Sequence, residues 1–333
     1  MSFNKQKFRI GVCGVGSIGF RHARLLCNRG NIAVSLCDTT VEHLTAAADL
    51  PNLELSTVSF DELIDSGLDG LVIATPDHLH IQQAEAACRK RITVLIEKPL
   101  AENAAQGEQL KHVVAETNAN ILVGYPLRYN LVFLKAKEIL DVGLIGSPVS
   151  FHIMLGAYDT LTAAKNRFNS NDLNKLYIDY SHEWDYLSWF LGKVKRAAAT
   201  SGQLGELERT QTPNIVNAIL ELESGVSGTA HLDYVQTPGT RRFIVIGDKG
   251  TLTADAVHGT VTLNIYKEEG EHVLRLSESF DAMMTRQHDH FLELTAGETG
   301  PKVRIEDGIN ALRIADALIS ASETGTWIDV YSH

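Results

Sequence analysis

One stretch near the amino terminus restricts what this chain can fold into more than any other. Phe8 to Cys13 (FRIGVC) is a short apolar run of β-formers. Gly14-Val15-Gly16-Ser17-Ile18-Gly19 follows as a G-x-G-x-x-G, and Phe20, Ala23, Leu25 and Leu26 then recur at helical spacing until Gly30, read as the helix C-terminal cap. Strand, glycine turn and helix in that order give the motif its meaning. Gly14 permits the tight turn, Gly16 lets a pyrophosphate approach the backbone, and Gly19 lets the helix pack closely on the strand. The first N–H groups of the helix, from Ser17 and Ile18 onward, face the phosphates with the positive end of the helix dipole behind them.

A second strand, Ile32 to Cys37 (IAVSLC), ends at Asp38. A carboxylate there accepts hydrogen bonds from the adenosine ribose hydroxyls. It would repel a 2′-phosphate, and no Arg stands directly after it, so NAD is expected over NADP. The competing reading is that Asp38 only caps the helix beginning near Thr39 to Val41.

Bulk properties narrow the class. The 333 residues lead to an expectation of two domains. With 44% apolar residues the chain can fill packed cores. A formal net charge of −11, with no Lys/Arg-rich block, argues against a nucleic-acid partner. No apolar run is long enough to span a bilayer, and MSFNKQKFRI lacks the apolar centre of a signal peptide, so no membrane partner is expected. Cys13, Cys27, Cys37 and Cys88 form no C-x-x-C and read as reduced core thiols of a cytoplasmic protein, not as a disulfide framework or metal site.

Residues 1–124 alternate strand and helix. Helices are expected over Val41 to Leu50, Asp61 to Ser66, Ile81 to Lys90 and Asn103 to Thr117. Strands are expected over Leu53 to Thr57, Asp69 to Thr75, Ile92 to Ile96 and Asn120 to Val123. Helical crossovers between buried strands imply a parallel, doubly wound, Rossmann-type sheet. Residues 125–333 read differently. After a helix over Leu131 to Val142 come long alternating runs, among them Val149 to Leu155, Ile215 to Leu222 and Val226 to Val235. Glu223-Ser224-Gly225 and Gly247-Asp248-Lys249-Gly250 read as hairpin loops. The expectation is an α+β domain with a large, mostly antiparallel sheet, covered on one face by helices over Leu173 to Phe190, Met283 to Ala296 and Glu306 to Ser322.

Ligands of doubly wound sheets bind beyond the carboxyl ends of the strands. Two polar clusters fall there. Thr75-Pro76-Asp77-His78-Leu79-His80 offers a rigid peptide at Pro76 and two imidazoles, against a bland reading as a loop that caps the next helix. Glu97-Lys98-Pro99 puts a lysine just past a buried strand, where partial desolvation would make it an acid–base group, against a bland reading as an exposed turn lysine. A third cluster, Asp179-Tyr180-Ser181-His182-Glu183-Trp184-Asp185-Tyr186, lies in the second region. If it is helical, His182, Asp185 and Tyr186 share a face, and a histidine beside carboxylates suits proton transfer.

Taken together these stretches resemble the glucose-fructose oxidoreductase / inositol dehydrogenase / rhizopine catabolism (Gfo/Idh/MocA) family over essentially the whole chain. The resemblance rests on GVGSIGFRHARLL, ATPDHLHIQQAEAA, VLIEKPLAENAAQ, GYPLRYN, SHEWDYLSWFLG, RRFIVIGDKGTL and TWIDV. It implies NAD(P)-dependent hydride transfer at a carbon of a sugar, cyclitol or related polyol. Lys98 would assist proton transfer and contact the nicotinamide ribose, with Glu97, Thr75, Pro76, His78 and His80 on the cofactor side. His182 would be the acid–base. Tyr125, Arg128, His182 and Asp185 would face a small sugar-like substrate, and Asp185 or Asp179 would orient the imidazole. The resemblance also implies a homodimer or homotetramer through the C-terminal sheet. Three positions depart from the family pattern. Ile178 stands where many members carry an Asp, Tyr180 where Gly is usual, and Asn130 where Pro is common. Two other readings of the same residues are a non-catalytic NAD-binding regulator and an enzyme that uses NAD in an internal redox cycle of elimination or hydrolysis.

Overall fold

In the computed structural model the described residues are 8–158, 175–205 and 213–331. The chain divides into two compact units. The first holds the residues up to Pro126 together with Phe280–Ile309, and the second holds Leu127–Ser279 and Asn310 onward.

The first unit is built on six parallel strands: β1 (Phe8–Cys13), β2 (Ile32–Cys37), β3 (Leu53–Thr57), β4 (Gly70–Ile73), β5 (Thr93–Glu97) and β6 (Ile121–Gly124). Their order is β3-β2-β1-β4-β5-β6. β2, β4, β5 and β6 are buried along their whole length, as expected where helices cover both faces. The two faces can be told apart at the β1–β4 pair. A Cβ on Gly11 would meet Leu63 of the Phe60–Asp65 helix. A Cβ on Gly70 would meet the Phe291 ring of the Phe280–Thr295 helix at 2.8 Å. Asn103 lies outside the helix as the N-cap of Ala104–Thr117, accepting from Gln106 N–H at 3.1 Å.

The second unit holds a nine-stranded sheet of β7 (Pro148–Gly156), β8 (Val194–Gly202), β9 (Ile215–Leu222), β10 (Ser227–Asp233), β11 (Thr240–Gly247), β12 (Gly250–Asp255), β13 (Thr260–Ile265), β14 (His272–Arg275) and β15 (Ile328–Asp329). The order is β14-β13-β12-β11-β7-β10-β9-β8-β15, with all pairs antiparallel except β7 with β10. Buried and accessible positions alternate along β9 to β13, so one face is packed. Phe151, Phe243, Tyr186, Phe190 and Phe133 make that core through tilted and edge-on ring contacts. Each fully buried Phe contributes about 1.5–3 kcal/mol relative to an exposed one.

Four expectations are corrected. The first helix, Ser17–Cys27, is capped by Asn28 and not by Gly30, since Asn28 N–H already turns back to Arg24 O. The second helix stops at Ala46 and its chain runs on in tight i→i+3 turns, with Ala47, Ala48 and Leu50 N–H donating to Leu44, Thr45 and Ala47 O, up to Leu50, which Pro51 keeps out of helical geometry. The helix expected over Leu173 to Phe190 is two helices, Lys175–Asp179 and Ser181–Leu191; Leu173 lies outside the described residues. At their junction the Tyr177 carbonyl accepts from the buried Trp184 indole at 2.9 Å, a tertiary hydrogen bond that periodicity does not reveal. The Met283 to Ala296 segment, expected over the second sheet, is the Phe280–Thr295 helix of the first unit, packed on β5 and on the Ser17–Cys27 helix.

Candidate active site and cofactor site

The loops after β1, β2, β4, β5 and β6 gather the expected cofactor-side residues at the carboxyl ends of the first sheet. Gly14 has φ +84°, and a Cβ on it would come within 2.5 Å of the Ala74 carbonyl oxygen. Its conformation and its crowding both exclude a side chain. A Cβ on Gly19 would overlap the Gly14 carbonyl, so helix and strand touch backbone to backbone there. Gly16 is the contrast. Nothing lies within 4 Å of where its Cβ would be, and as N-cap it has no side chain to occupy the first N–H groups of the helix. An open approach to a helix N-terminus fits a pyrophosphate.

Asp38 is half-buried just past β2. Its Oδ2 accepts from Val15 N–H at 2.6 Å and its Oδ1 from Thr40 N–H at 2.8 Å, and His43 Nδ1 is 3.1 Å from Oδ2. Burial pushes its carboxyl up, but the Thr40 and Val15 N–H groups and His43 outweigh it, and the net direction is down. Asp38 is therefore an anion that braces the glycine loop and caps the next segment.

After β4, Thr75 Oγ1 donates to Gln83 Oε1 at 2.7 Å, and Pro76 and His78 are exposed. His80 is buried and stands between two carbonyls. Nδ1 is 2.8 Å from the Pro99 oxygen and Nε2 is 2.9 Å from the Thr75 oxygen. A singly protonated ring satisfies one of them and a doubly protonated ring both. His80 thus ties the loop after β4 to the Glu-Lys-Pro turn after β5. In that turn Glu97 is buried, Lys98 is half-buried and the Lys98–Pro99 peptide is cis. Tyr125 follows β6, fully buried.

In the second unit the Ser181–Leu191 helix carries His182, half-buried, with Asp179 half-buried before it. Asp185 is held by Arg128 in a buried two-pronged ion pair, Nε to Oδ2 at 2.9 Å and Nη2 to Oδ1 at 2.8 Å. The Arg128 guanidinium also lies over Trp189 at 5.0 Å. Glu183, fully buried, accepts from Arg241 Nε at 2.9 Å. Burial alone would lower the Arg241 pKa, but Glu183, Tyr186 and Tyr180 together more than offset it, and Arg241 stays charged. Burial, reinforced by Glu183, pushes the Tyr186 hydroxyl well up.

Sequence reasoning missed three partners, the half-buried Arg241 and the fully buried His22 and His288. Arg241 lies in a quoted motif, yet nothing in the spacing pairs it with Glu183. His22 and His288 form a chain with Glu97 behind the Lys98 turn: His22 Nε2 is 3.0 Å from Glu97 Oε1, and His22 Nδ1 is 2.7 Å from His288 Nε2. The first helix exposes His22 to a sequence reader, but His288 is 266 residues away and carries no local signal.

Residues 8–125 match the oxidoreductase family with NAD-binding Rossmann fold, and residues 137–330 match the C-terminal alpha/beta domain of the same family. The chain belongs to the Gfo/Idh/MocA oxidoreductase family. It is an NAD-binding oxidoreductase, as the glycine loop and Asp38 anticipate. Inositol 2-dehydrogenase 1 of Saccharopolyspora erythraea is 28% identical over 337 residues, 97% of this chain and 96% of that protein. Among solved structures, scyllo-inositol dehydrogenase from Lactobacillus casei with NAD(H) and scyllo-inositol has TM-score 0.85 at 22% identity, covering 98% of this chain and 100% of that one. Levoglucosan dehydrogenase with NADH and levoglucosan has TM-score 0.86 at 19% identity, with coverage of 98% and 100%. Both share the fold. No helix among the described residues is long and apolar enough to cross a membrane.

Proposed function

We propose that this protein oxidises a ring secondary alcohol of a cyclitol, an inositol first of all, with NAD as hydride acceptor. The observation that carries the reading is the full-length similarity to an inositol 2-dehydrogenase, joined to a glycine loop and Asp38 that fit NAD. NAD supplies the electron-pair acceptor, and the chain must remove the hydroxyl proton as hydride leaves carbon. His182 takes that proton on the unprotonated ring nitrogen of its neutral imidazole. Lys98 stabilises the developing alkoxide and hydrogen-bonds the nicotinamide ribose. Thr75, Pro76, His78 and His80 line the cofactor side. Tyr125, Arg128, Asp185 and Asp179 serve the substrate side, where the Arg128–Asp185 pair steadies the helix that carries His182.

The test is NADH absorbance during incubation with NAD and a panel of inositols and pyranoses, with product analysis. NADH should accumulate in step with an inosose product. Lys98→Ala and His182→Ala should each lower kcat by roughly 10²–10⁴-fold. Substrate consumption without NADH would instead favour an internal redox cycle, and binding of NAD with no turnover of any polyol would favour a regulator.

We further infer a cytoplasmic homodimer or homotetramer paired through the open face of the nine-stranded sheet. Four buried free cysteines support the compartment, and Val149 and Ile219, about half exposed on β7 and β9, support the pairing. Light scattering that gives a monomer at micromolar concentration would refute the assembly.

A further inference from the structure

Glu97, His22 and His288 come from the end of β5, the Ser17–Cys27 helix and the Phe280–Thr295 helix. All three are buried, the two histidines completely. Burial, helped by the neighbouring His22 and Arg29, holds His288 well below the ordinary imidazole range, so it carries one ring proton at neutral pH. His288 Nδ1 is buried and meets no hydrogen-bond partner, whereas Nε2 is 2.7 Å from His22 Nδ1. An orphaned buried N–H is rarer than an orphaned lone pair, which places the proton on Nε2. His288 then donates to His22 Nδ1, and His22 donates through Nε2 to Glu97 Oε1 at 3.0 Å. Every member of the chain has its direction set.

Glu97 has little room on its other side. A Cβ on Gly124, its register partner in β6, would stand 3.0 Å from both Glu97 Cα and Oε1. Glu97 is thus gripped between the β6 backbone and an imidazole, and the next residue is Lys98, its Cα about 3.8 Å along the chain. We propose that His22 is a positioning residue for the chemical step: it fixes Glu97, and through Glu97 the turn that presents Lys98, while His288 orients His22. This rests on the role given to Lys98 above. A reacting group misplaced by about 1 Å costs about 10²-fold in rate, which sets the scale of the effect.

The experiment compares His22→Ala, His22→Gln, Glu97→Ala, the His22→Ala/Glu97→Ala pair and Lys98→Ala in the full chain. The probes are NAD with myo-inositol for turnover and NADH fluorescence for cofactor affinity and site count. Expected for His22→Ala is a kcat per NADH-binding site reduced 10- to 100-fold, with the NADH dissociation constant changed less than threefold. Gln offers an NH₂ donor group and one acceptor oxygen in place of the two ring nitrogens, so His22→Gln should recover to within about fivefold of wild type. The double variant should be no slower than the worse single variant, because both act through one contact. A purely structural role would lower melting temperature and site count while leaving kcat per site unchanged.

Wild-type kcat per site in His22→Ala, or a Gln variant as impaired as Ala, overturns the proposal. Normal turnover in Lys98→Ala would instead overturn the reading of Lys98, and slow Lys98→Ala beside fast His22→Ala would sink only the positioning role. A second arm needs no substrate or unstable variant. In ¹⁵N-histidine NMR of the wild-type protein, His22 should show a protonated Nε2 and an unprotonated Nδ1. The reverse tautomer overturns the proposal.

Discussion

Asp38 joins loop architecture to cofactor choice, and its removal separates the two. In Asp38→Asn one carboxylate oxygen becomes an NH₂ group, so either the Val15 N–H (2.6 Å) or the Thr40 N–H (2.8 Å) loses its acceptor and faces another donor. A hydrogen bond to a charged group is worth about 1.5–3 kcal/mol, and that is the expected loss of apo stability. Asp38→Ala removes both acceptors and should cost more. The cofactor effect has a different origin. A carboxylate and a 2′-phosphate about 4 Å apart repel by about 1 kcal/mol in water and about 4 kcal/mol at an effective dielectric of 20. Relieving that repulsion is worth roughly 5- to 1000-fold in affinity for the phosphorylated cofactor.

NAD should therefore bind more weakly to Asp38→Ala, since the ribose loses its acceptor, while NADP weakens less or gains. The ratio of the NADP to the NAD dissociation constant should fall at least tenfold. Fluorescence titration with NADH and NADPH reads the ratio, and thermal melting of the apo protein reads the loop term separately. If both cofactors weaken by the same factor and the ratio stays at its wild-type value, Asp38 acts only as a loop brace, and the electrostatic account of specificity is wrong.

The Arg128–Asp185 pair predicts a non-additive stability cycle. Arg128→Leu or Asp185→Leu alone strands a buried charge and should cost about 3–5 kcal/mol, whereas the double variant should cost less than either; additive losses in urea unfolding would refute this. His288 predicts a pH dependence opposite in sign to that of a histidine held charged by a carboxylate. Below about pH 6.5 the unfolded imidazole binds a proton that folded His288, depressed by burial, does not, so stability falls with pH by up to about 1.4 kcal/mol per unit. Melting temperatures between pH 7.5 and 5.0 should show that fall, and His288→Gln should flatten it.

Much of the first unit could be read directly because its signals are local. A strand buried on both faces is a continuous apolar run, a Rossmann turn needs its glycines at fixed offsets, and Asp38 follows β2 by chain geometry alone. β1, β2 and β3 have the ends expected from the sequence. The second sheet was legible for the same reason, through alternation and hairpin glycines. What escaped depends on distance along the chain. The split at Tyr180 turns on an indole reaching a carbonyl seven residues earlier, and Glu183 meets an arginine 58 residues later. The Phe280–Thr295 helix is amphipathic, and amphipathicity says only that one face must be buried, never against which sheet. The ring of Phe291 finds its place against Gly70, where β4 has no side chain, and Val123 N–H of β6 donates to Val303 O at 3.0 Å. The late segment is therefore structural to the cofactor unit and cannot be assigned by chain order. It also carries His288. A proteolytic or genetic cut between the halves of the sequence would leave the Glu97–His22 contact without its third member and Gly70 without its cover. An isolated fragment ending near Pro126 should then bind NAD poorly even though it contains every residue of the glycine motif and Asp38.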